Sequence, residues 1–246
     1  MIQRFFSGMG AFGRGWRFAF SRGGLTAWTL LPALITAVIT VAGSWAVAHF
    51  VGAWLSAHTA GQGAFVGALV WVGVVLVAAA AAYVLYVASC VLATAPFAGV
   101  LSERTEKLAT GAPLPPSSLA RELGLALRGI GQAILGITCY LLIAVPLFVV
   151  HWAVPALAPL IWVLSLLEAA LFFAYDAFNE PLHRRGASFG AKWRFIRAHL
   201  AESLGFGTAV ALLMMIPLVS VVVVPVAVIG GTLLFLELGK ASAPPT

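Results

Sequence analysis

The chain has 246 residues, of which 62% are hydrophobic and 9% are charged, and its mean hydropathy is +1.04. Soluble domains average about 45–50% apolar and about 25% charged residues, so the composition excludes an ordinary soluble fold. The formal net charge is +6. In a soluble protein this excess would suggest nucleic-acid binding, but the positions of the basic residues explain it differently.

The first 25 residues are rich in arginine and aromatic side chains and predict an amphipathic helix at the membrane interface. Its lipid-facing residues are predicted to be Phe5, Phe6, Met9, Phe12, Trp16 and Phe20. The segment lacks the short apolar core and cleavage site of a signal peptide, so we expect the first membrane helix to be retained. Gly8 to Gly13 match G-x-G-x-x-G, but a dinucleotide site needs a preceding strand, and only seven residues come before it. The interfacial helix is favoured.

No Asp, Glu, Lys or Arg occurs between Arg22 and Glu103, a stretch of 80 residues. A bilayer core requires about 20 apolar residues per helical crossing, so the segment 26–93 predicts two long transmembrane helices. The polar, glycine-containing residues 58–63 predict the turn between them. The helices are therefore expected at about 26–51 and about 65–93.

Three more apolar blocks follow a predicted cytoplasmic helical segment at 94–128. Residues 129–150 and 152–175 predict one hairpin over 129–175, with its tip at His151 to Pro159. A second cytoplasmic segment, 176–203, precedes a second hairpin over 204–238, in which Pro217 and Pro225 predict two short helices at 204–219 and 225–238. Such short helices are consistent with full crossing or with partial penetration of the bilayer.

The fold class predicted is thus an all-α integral membrane protein with one domain over 1–240 and a disordered tail at 241–246. All 14 Lys and Arg residues lie before the first long helix, in 94–128, in 176–203 or at Lys240 near the C-terminus. The intervening tips near 52–64, 151–159 and 220–225 have none. Because short cytoplasmic loops carry the basic residues, both termini are predicted to be cytoplasmic. Orientation and anionic lipid, rather than nucleic acid, then account for the positive charge.

Few residues offer chemistry for an enzyme. Glu168 interrupts an apolar run, and ionisable groups within membranes are costly enough to suggest a function; an interfacial position or a buried partner is the alternative. His49, His58 and His151 fall near the outer side, with no spacing that indicates a metal site. Cys90 and Cys139 alone permit neither a disulfide framework nor a metal site. We therefore expect no enzyme activity, metal or cofactor.

The segment from Ala95 to Lys107 is more specific. Pro96 is expected to end the helix that leaves the membrane. The next residues place Glu103, Glu106 and Lys107 on one side of a helix by their three- and four-residue spacing. An ordinary solvated cytoplasmic helix explains the same spacing.

Four ordered stretches together resemble the CysZ-type sulfate permease family, which shares a domain with the eukaryotic etoposide-induced membrane proteins. They are Arg17 to Pro32 (RFAFSRGGLTAWTLLP), the A-P-F-x-x-x-L-x-E-x-x-E run from Ala95 to Glu106, Asn179 to Phe189 (NEPLHRRGASF), and Phe206-Gly207 through Ile216-Pro217 and Pro225-Val226-Ala227 to Gly231-Thr232. The resemblance covers nearly the whole chain.

The resemblance implies two long transmembrane helices, two partly penetrating hairpins, homo-oligomers, and sulfate conduction for cysteine synthesis across the bacterial inner membrane, without an ATP site. The family's Gly-Leu-Arg-Arg anion motif matches Gly24-Leu25-Thr26-Ala27, so both arginines are absent here. Its Asp-Tyr-Pro matches Asn179-Glu180-Pro181. The anion-binding residues implied are Arg22, Gly24, Leu25 and Thr26, with Arg22 or the amides near Gly24 in place of the arginine pair. The polar interior implied comprises Glu103, Glu106, Glu168, Arg184 and Arg185.

Two functions lead at this point, and a membrane enzyme that would rest on Glu168 and the outer histidines is third. One is a channel or permease for sulfate or a related small anion. The other, suggested by the missing arginines, is a membrane structural or interaction protein that keeps the fold without conducting.

Overall fold

The computed structural model describes residues 1–59, 64–111 and 119–241, and within these ranges it contains helices and no strand. The α-helices are α1 (Ile2–Phe20), α2 (Gly23–Thr59), α3 (Ala64–Thr110), α4 (Leu119–Ala153), α5 (Ala158–Arg184), α6 (Phe189–Ala198), α7 (Leu200–Met214) and α8 (Pro217–Ala241), with a 3-10 turn at Pro155–Leu157. Most of the turn predicted at 58–63 and of the tail predicted at 241–246 lies outside the described residues.

Five segments of these helices are long and apolar enough to cross a membrane, which confirms the predicted fold class. They are Gly23–Leu55, Gly67–Tyr86, Gly131–Ala153, Pro155–Arg184 and Val219–Gly239. The apolar helix α7 has 15 residues, fewer than the roughly 20 that a perpendicular crossing needs.

The chain forms two compact units, one made of 1–29 with 98–246 and the other of 30–97. In the second unit, the Thr36 hydroxyl donates a hydrogen bond to the Ser89 carbonyl at 3.4 Å. Gly43 adjoins Leu85 so closely that a Cβ would lie 2.1 Å from its methyl group. Large apolar side chains such as Trp45 and Leu76 are exposed, as expected for helices that face lipid.

In the first unit, glycines let the helix backbones of α1, α5, α7 and α8 approach closely. A Cβ on Gly8 would lie 2.1 Å from the Glu202 carbonyl oxygen, and one on Gly207 would lie 1.7 Å from that of Ala170. Gly15 lies against the Gly230 backbone in the same way. Small residues at such crossings are typical of membrane helix packing, because lipid supplies no hydrophobic drive and close contact must hold the helices.

The small-residue face of α1 also corrects the prediction for Phe12, which does not face lipid. Its side chain is buried and its ring centroid lies 6.4 Å from that of Phe206. Phe12 follows Gly8 by four residues and therefore lies on the packed face of the helix. Phe6, Trp16 and Phe20 are exposed as predicted.

Two predictions about prolines were wrong. Helix α3 continues through Pro96 to Thr110, and Pro225 lies inside α8. One missing backbone donor does not end a helix whose neighbouring turns remain hydrogen-bonded. The break before α8 falls at Met215 and Ile216, because Pro217 occupies the first helical position, where its missing N–H costs nothing. Helix α8 is therefore 25 residues long rather than short.

Candidate functional site

The segment matched to the anion motif lies at the junction of α1 and α2. The Arg22 carbonyl accepts hydrogen bonds from the amides of Leu25 at 2.8 Å and Thr26 at 3.0 Å. The Thr26 hydroxyl donates to the carbonyls of Ala19 at 2.8 Å and Arg22 at 3.1 Å. Leu25 is 2% exposed. Leu25 and Thr26 thus hold the junction together.

The exposed members of this segment are Arg22 and Gly24. The Arg22 guanidinium lies 4.6 Å from the centroid of the Phe18 ring and donates to the Leu108 carbonyl at 3.5 Å. A Cβ on Gly24 would meet nothing within 4 Å, so the start of α2 has open space around it. Arg104, one turn before Leu108, lies over Trp28 at 4.3 Å. Its position beside the segment could not be inferred from the sequence, which shows only its place in a basic loop.

Three of the residues implied for the polar interior, Glu106, Arg184 and Arg185, lie together. Glu106 accepts hydrogen bonds from Arg184 at 2.8 Å and from Arg185 at 2.5 Å. Arg184 also donates to the hydroxyl of Ser102 at 3.0 Å, and Ser102 in turn bonds to Thr232 at 2.8 Å. We call these five residues the Glu106 cluster. Ser102 and Thr232 are fully buried, so the cluster reaches into the protein.

The end of α5 explains why two consecutive arginines meet one carboxylate. Gly186 has a φ of +73°, and its amide donates to the His183 carbonyl at 2.8 Å. The Ala187 amide reaches back to Leu182 at 3.0 Å. A glycine in the left-handed region commonly ends a helix in this manner. Arg184 and Arg185 are thereby fixed at the helix C-terminus, where positive charge is favourable.

The arginines decide the ionisation of Glu106. Burial by itself would raise the pKa of Glu106, but hydrogen bonds and charge from Arg185 and Arg184 outweigh it and hold this pKa below the ordinary value. The carboxylate is therefore ionised at neutral pH. Two guanidinium groups share its charge, which leaves a net positive cluster.

A second polar group, absent from the sequence predictions, surrounds Lys192 on α6. Lys192 is 1% exposed and donates to the side-chain oxygens of Gln132 and Asn179. The Asn179 amide donates to Glu180 at 3.3 Å. Burial lowers the pKa of Lys192, and the charge of Glu180 partly opposes that shift. No sequence signal connected Lys192 with Asn179, because only the fold brings α4, α5 and α6 together.

Glu103 and Glu168 lie apart from these groups. Glu103 is exposed, and Glu168 lies on α5, 16 residues before Arg184, or about 24 Å along a helix. No group of three His, Cys, Asp or Glu side chains able to hold a metal occurs among the described residues. Within the Glu106 cluster, Arg184 and Arg185 outnumber the one carboxylate of Glu106. Such a balance suits a small oxyanion, because guanidinium and ammonium groups are strong donors to it.

Comparison with known proteins gives consistent matches. The family model described as Sulfate transporter CysZ/Etoposide-induced protein 2.4 matches residues 11–225. The sulfate transporter CysZ of Pectobacterium atrosepticum is 26% identical over 241 residues, covering 94% of this chain and 85% of that protein. The protein of the same name from Salmonella typhi is 25% identical over 243 residues, covering 96% and 94%. That of Pseudomonas fluorescens is 30% identical over 152 residues, or 61% of each chain.

Proposed function

This chain belongs to the family of CysZ sulfate transporters and etoposide-induced proteins, and we propose that it is a permease that passes sulfate, or a related small anion, into the cytoplasm for sulfur assimilation. The observation that carries the proposal is the pair of guanidinium groups, of Arg184 and Arg185, that share the single carboxylate of Glu106. A chain with 9% charged residues has concentrated donors for an oxyanion among its buried helices. Two guanidinium groups share one carboxylate in the Glu106 cluster, and a passing anion would balance the remaining positive charge.

In this proposal the anion enters near Arg22 and Gly24. The guanidinium of Arg22 and the first amides of α2 offer donors, and a helix N-terminus attracts negative charge. Leu25 and Thr26 support the junction from behind, through the bonds that Thr26 makes to Ala19 and Arg22. The entry site then works without the two arginines that the family motif places there.

The Glu106 cluster provides the interior step. Arg184 and Arg185 are held by Glu106 at 2.8 and 2.5 Å, so their donors are already oriented. An arriving oxyanion replaces Glu106 in some of these contacts. Planar guanidinium groups bind the oxygens of an oxyanion and those of a carboxylate in the same geometry. Glu106 keeps the cluster from retaining the anion too tightly, which conduction requires.

The setting proposed is the bacterial inner membrane, with both termini cytoplasmic and several copies of the chain assembled together. The partition of Lys and Arg between loops supports the orientation.

Uptake of labelled sulfate into proteoliposomes tests the function. We expect flux through the wild-type protein, and a decrease of at least about tenfold in Arg184→Gln, because one of the two oriented guanidinium groups is lost. Arg194→Gln is the matched control, since Arg194 is exposed on α6, and it should conduct as the wild type does. Wild-type flux equal to that of empty liposomes, measured beside a conducting permease, would refute transport and favour the non-conducting structural protein.

A second experiment tests the entry site. The double variant Thr26→Arg, Ala27→Arg restores the family's arginine pair, and sulfate binding is measured by calorimetry in both proteins. If Arg22 and Gly24 suffice, the wild type already binds sulfate. Binding gained only in the double variant would instead support the non-conducting alternative.

A further inference from the structure

A groove runs between α4 and α5 at some distance from the Glu106 cluster. Its volume is about 380 Å³, within the range of small-molecule sites. Its chemically distinctive lining residues are Tyr140, Phe148, His151, Trp162, Ser165 and Glu168. Apart from a few polar atoms, the surrounding helix surface is apolar.

Glu168 is the unusual member of the groove. The residue is only 7% exposed, and its Oε1 atom has no hydrogen-bond partner. Leaving a buried carboxylate oxygen without a partner is costly. Among the described residues, no side chain of the Glu106 cluster or of the group around Lys192 donates a hydrogen bond to Glu168. Glu168 lines the groove, so a donor on a ligand bound there would compensate its carboxylate.

The other lining groups indicate what kind of ligand this is. A negative carboxylate repels an anion, and the described residues include no group of three His, Cys, Asp or Glu side chains able to hold a metal. Tyr140 lines the groove together with Glu168, and aromatic rings attract organic cations. A carboxylate together with aromatic faces is the combination that recognises an ammonium group.

The shape and exposure of the groove define the rest of the ligand. Tyr140 and Phe172 meet with ring centroids 5.3 Å apart, so Glu168 lies near the Tyr140 end. From Tyr140 to His151 the groove extends about 16 Å along α4, at 1.5 Å per residue. Phe148 and Trp162 are 64% and 63% exposed, and they lie in an apolar part of the hairpin. The ligand must then have an apolar body that enters from the bilayer.

We propose that this groove binds an amphiphilic organic ammonium, with its cationic head at Glu168 and its apolar chain along Phe148 and Trp162. The site is separate from the proposed anion route and does not depend on it. Electrostatic complementarity fixes the head, and burial of apolar surface holds the chain.

Photolabelling of the full-length protein in lipid nanodiscs tests the proposal. The probe is dodecylamine carrying a diazirine, and its neutral counterpart is dodecanol with the same diazirine. We expect the amine to label peptides within 140–168, and Glu168→Gln to reduce that labelling about tenfold, since the charge contact is lost. The alcohol should label both proteins equally. Glu237→Gln, which removes an exposed carboxylate on α8, is the matched control and should label as the wild type does.

A second variant tests the same proposal in case Glu168→Gln misfolds. Trp162→Leu keeps the carboxylate and removes an exposed ring along which the chain of the ligand lies, so amine labelling should decrease several-fold while the melting temperature is unchanged. Equal amine labelling of wild type and Glu168→Gln, or alcohol labelling as strong as that of the amine, would overturn the proposal. A wild-type protein that takes the amine label but shows no sulfate flux would refute the permease and leave this site standing.

Discussion

At the scale of single residues, Glu106 is the site residue whose surroundings the sequence anticipated only in part. Its spacing from Glu103 placed both on one helix side, but only Glu106 meets arginines, whereas Glu103 is exposed. Both carboxylates belong to the same resemblance run. What separates them is the position of Arg184 and Arg185, more than 75 residues later in the chain, and no local pattern contains that information.

We expect Glu106→Gln to lower the free energy of unfolding by about 1–3 kcal/mol, because it leaves two partly buried guanidinium groups without their counter-ion. Thermal unfolding in detergent micelles, followed by tryptophan fluorescence, measures the change. Glu103→Gln, an exposed carboxylate on the same helix, should stay within about 0.5 kcal/mol of the wild type. Equal losses in the two variants would contradict this role for Glu106.

The lowered pKa of Glu106 also predicts a pH dependence. The folded carboxylate binds a proton less readily than the unfolded one, so its contribution to stability is complete above pH 4.5, the ordinary pKa, and is lost as pH falls through the lowered folded value. The difference in melting temperature between wild type and Glu106→Gln should therefore be largest near neutral pH and decrease below pH 4.5. A difference that increases on acidification would show that the sign is wrong.

Burial of Lys192 gives a prediction of a different kind. Its ammonium is held by oxygens of Gln132 and Asn179, so Lys192→Met removes a donor and leaves two acceptors among buried helices. We expect a loss of about 1–3 kcal/mol in unfolding free energy. Lys107→Met, which changes an exposed lysine, serves as the control in the same melting experiment. A Lys192→Met protein as stable as the wild type would mean that the amide oxygens find other donors.

At the scale of helices, close backbone contacts at glycine organise the first compact unit. Gly8 and Gly15 on α1 are seven residues apart and so lie on one face, against α7 and α8 respectively. In the sequence, Gly8 is the first glycine of the G-x-G-x-x-G match, and Gly15 lies just after that match. Packing explains Gly8 and Gly15, whereas Gly13 meets nothing within 4 Å. A nucleotide-binding interpretation has no support from this helix.

Two alanine substitutions in α1 test the packing. In Gly15→Ala the new Cβ would lie 2.5 Å from the Gly230 Cα, and backbone cannot move aside easily, so we expect a loss of about 1–3 kcal/mol. Gly13→Ala occupies open space and should stabilise the helix by up to about 1 kcal/mol. Unfolding in increasing denaturant compares the two variants. Stabilisation of both variants to the same extent would indicate helix propensity alone and contradict the contact at Gly15.

At the scale of the whole molecule, apolar spans and basic loops alternate along the chain. The described helices include five candidate spans and the shorter α7, in agreement with six apolar segments. Arg and Lys lie only in alternate connections and at the ends. This regularity predicts which connections face the cytoplasm.

Cysteine labelling tests that orientation. In a background with Cys90→Ala and Cys139→Ala, Trp152→Cys at the tip of the first hairpin should react with a membrane-impermeant maleimide added from outside if the hairpin spans fully. Ser188→Cys, next to α6, should react only after the membrane is permeabilised. Outside labelling of Ser188→Cys in intact cells would reverse the predicted topology. Protection of Trp152→Cys on both sides would favour partial penetration.

The sequence alone determined membrane residence, helical class, the number of apolar segments and the family, because hydropathy and ordered motifs are local properties of the chain. The helix ends predicted at Pro96 and Pro225 and the lipid-facing position predicted for Phe12 were wrong, since the tertiary structure decides where a helix ends and which of its faces is buried. Only the tertiary structure brought Glu106 to Arg184 and Arg185, and Lys192 to Asn179. These contacts join residues that are distant in sequence or lie on different helices, and their energies depend on the burial that packing creates.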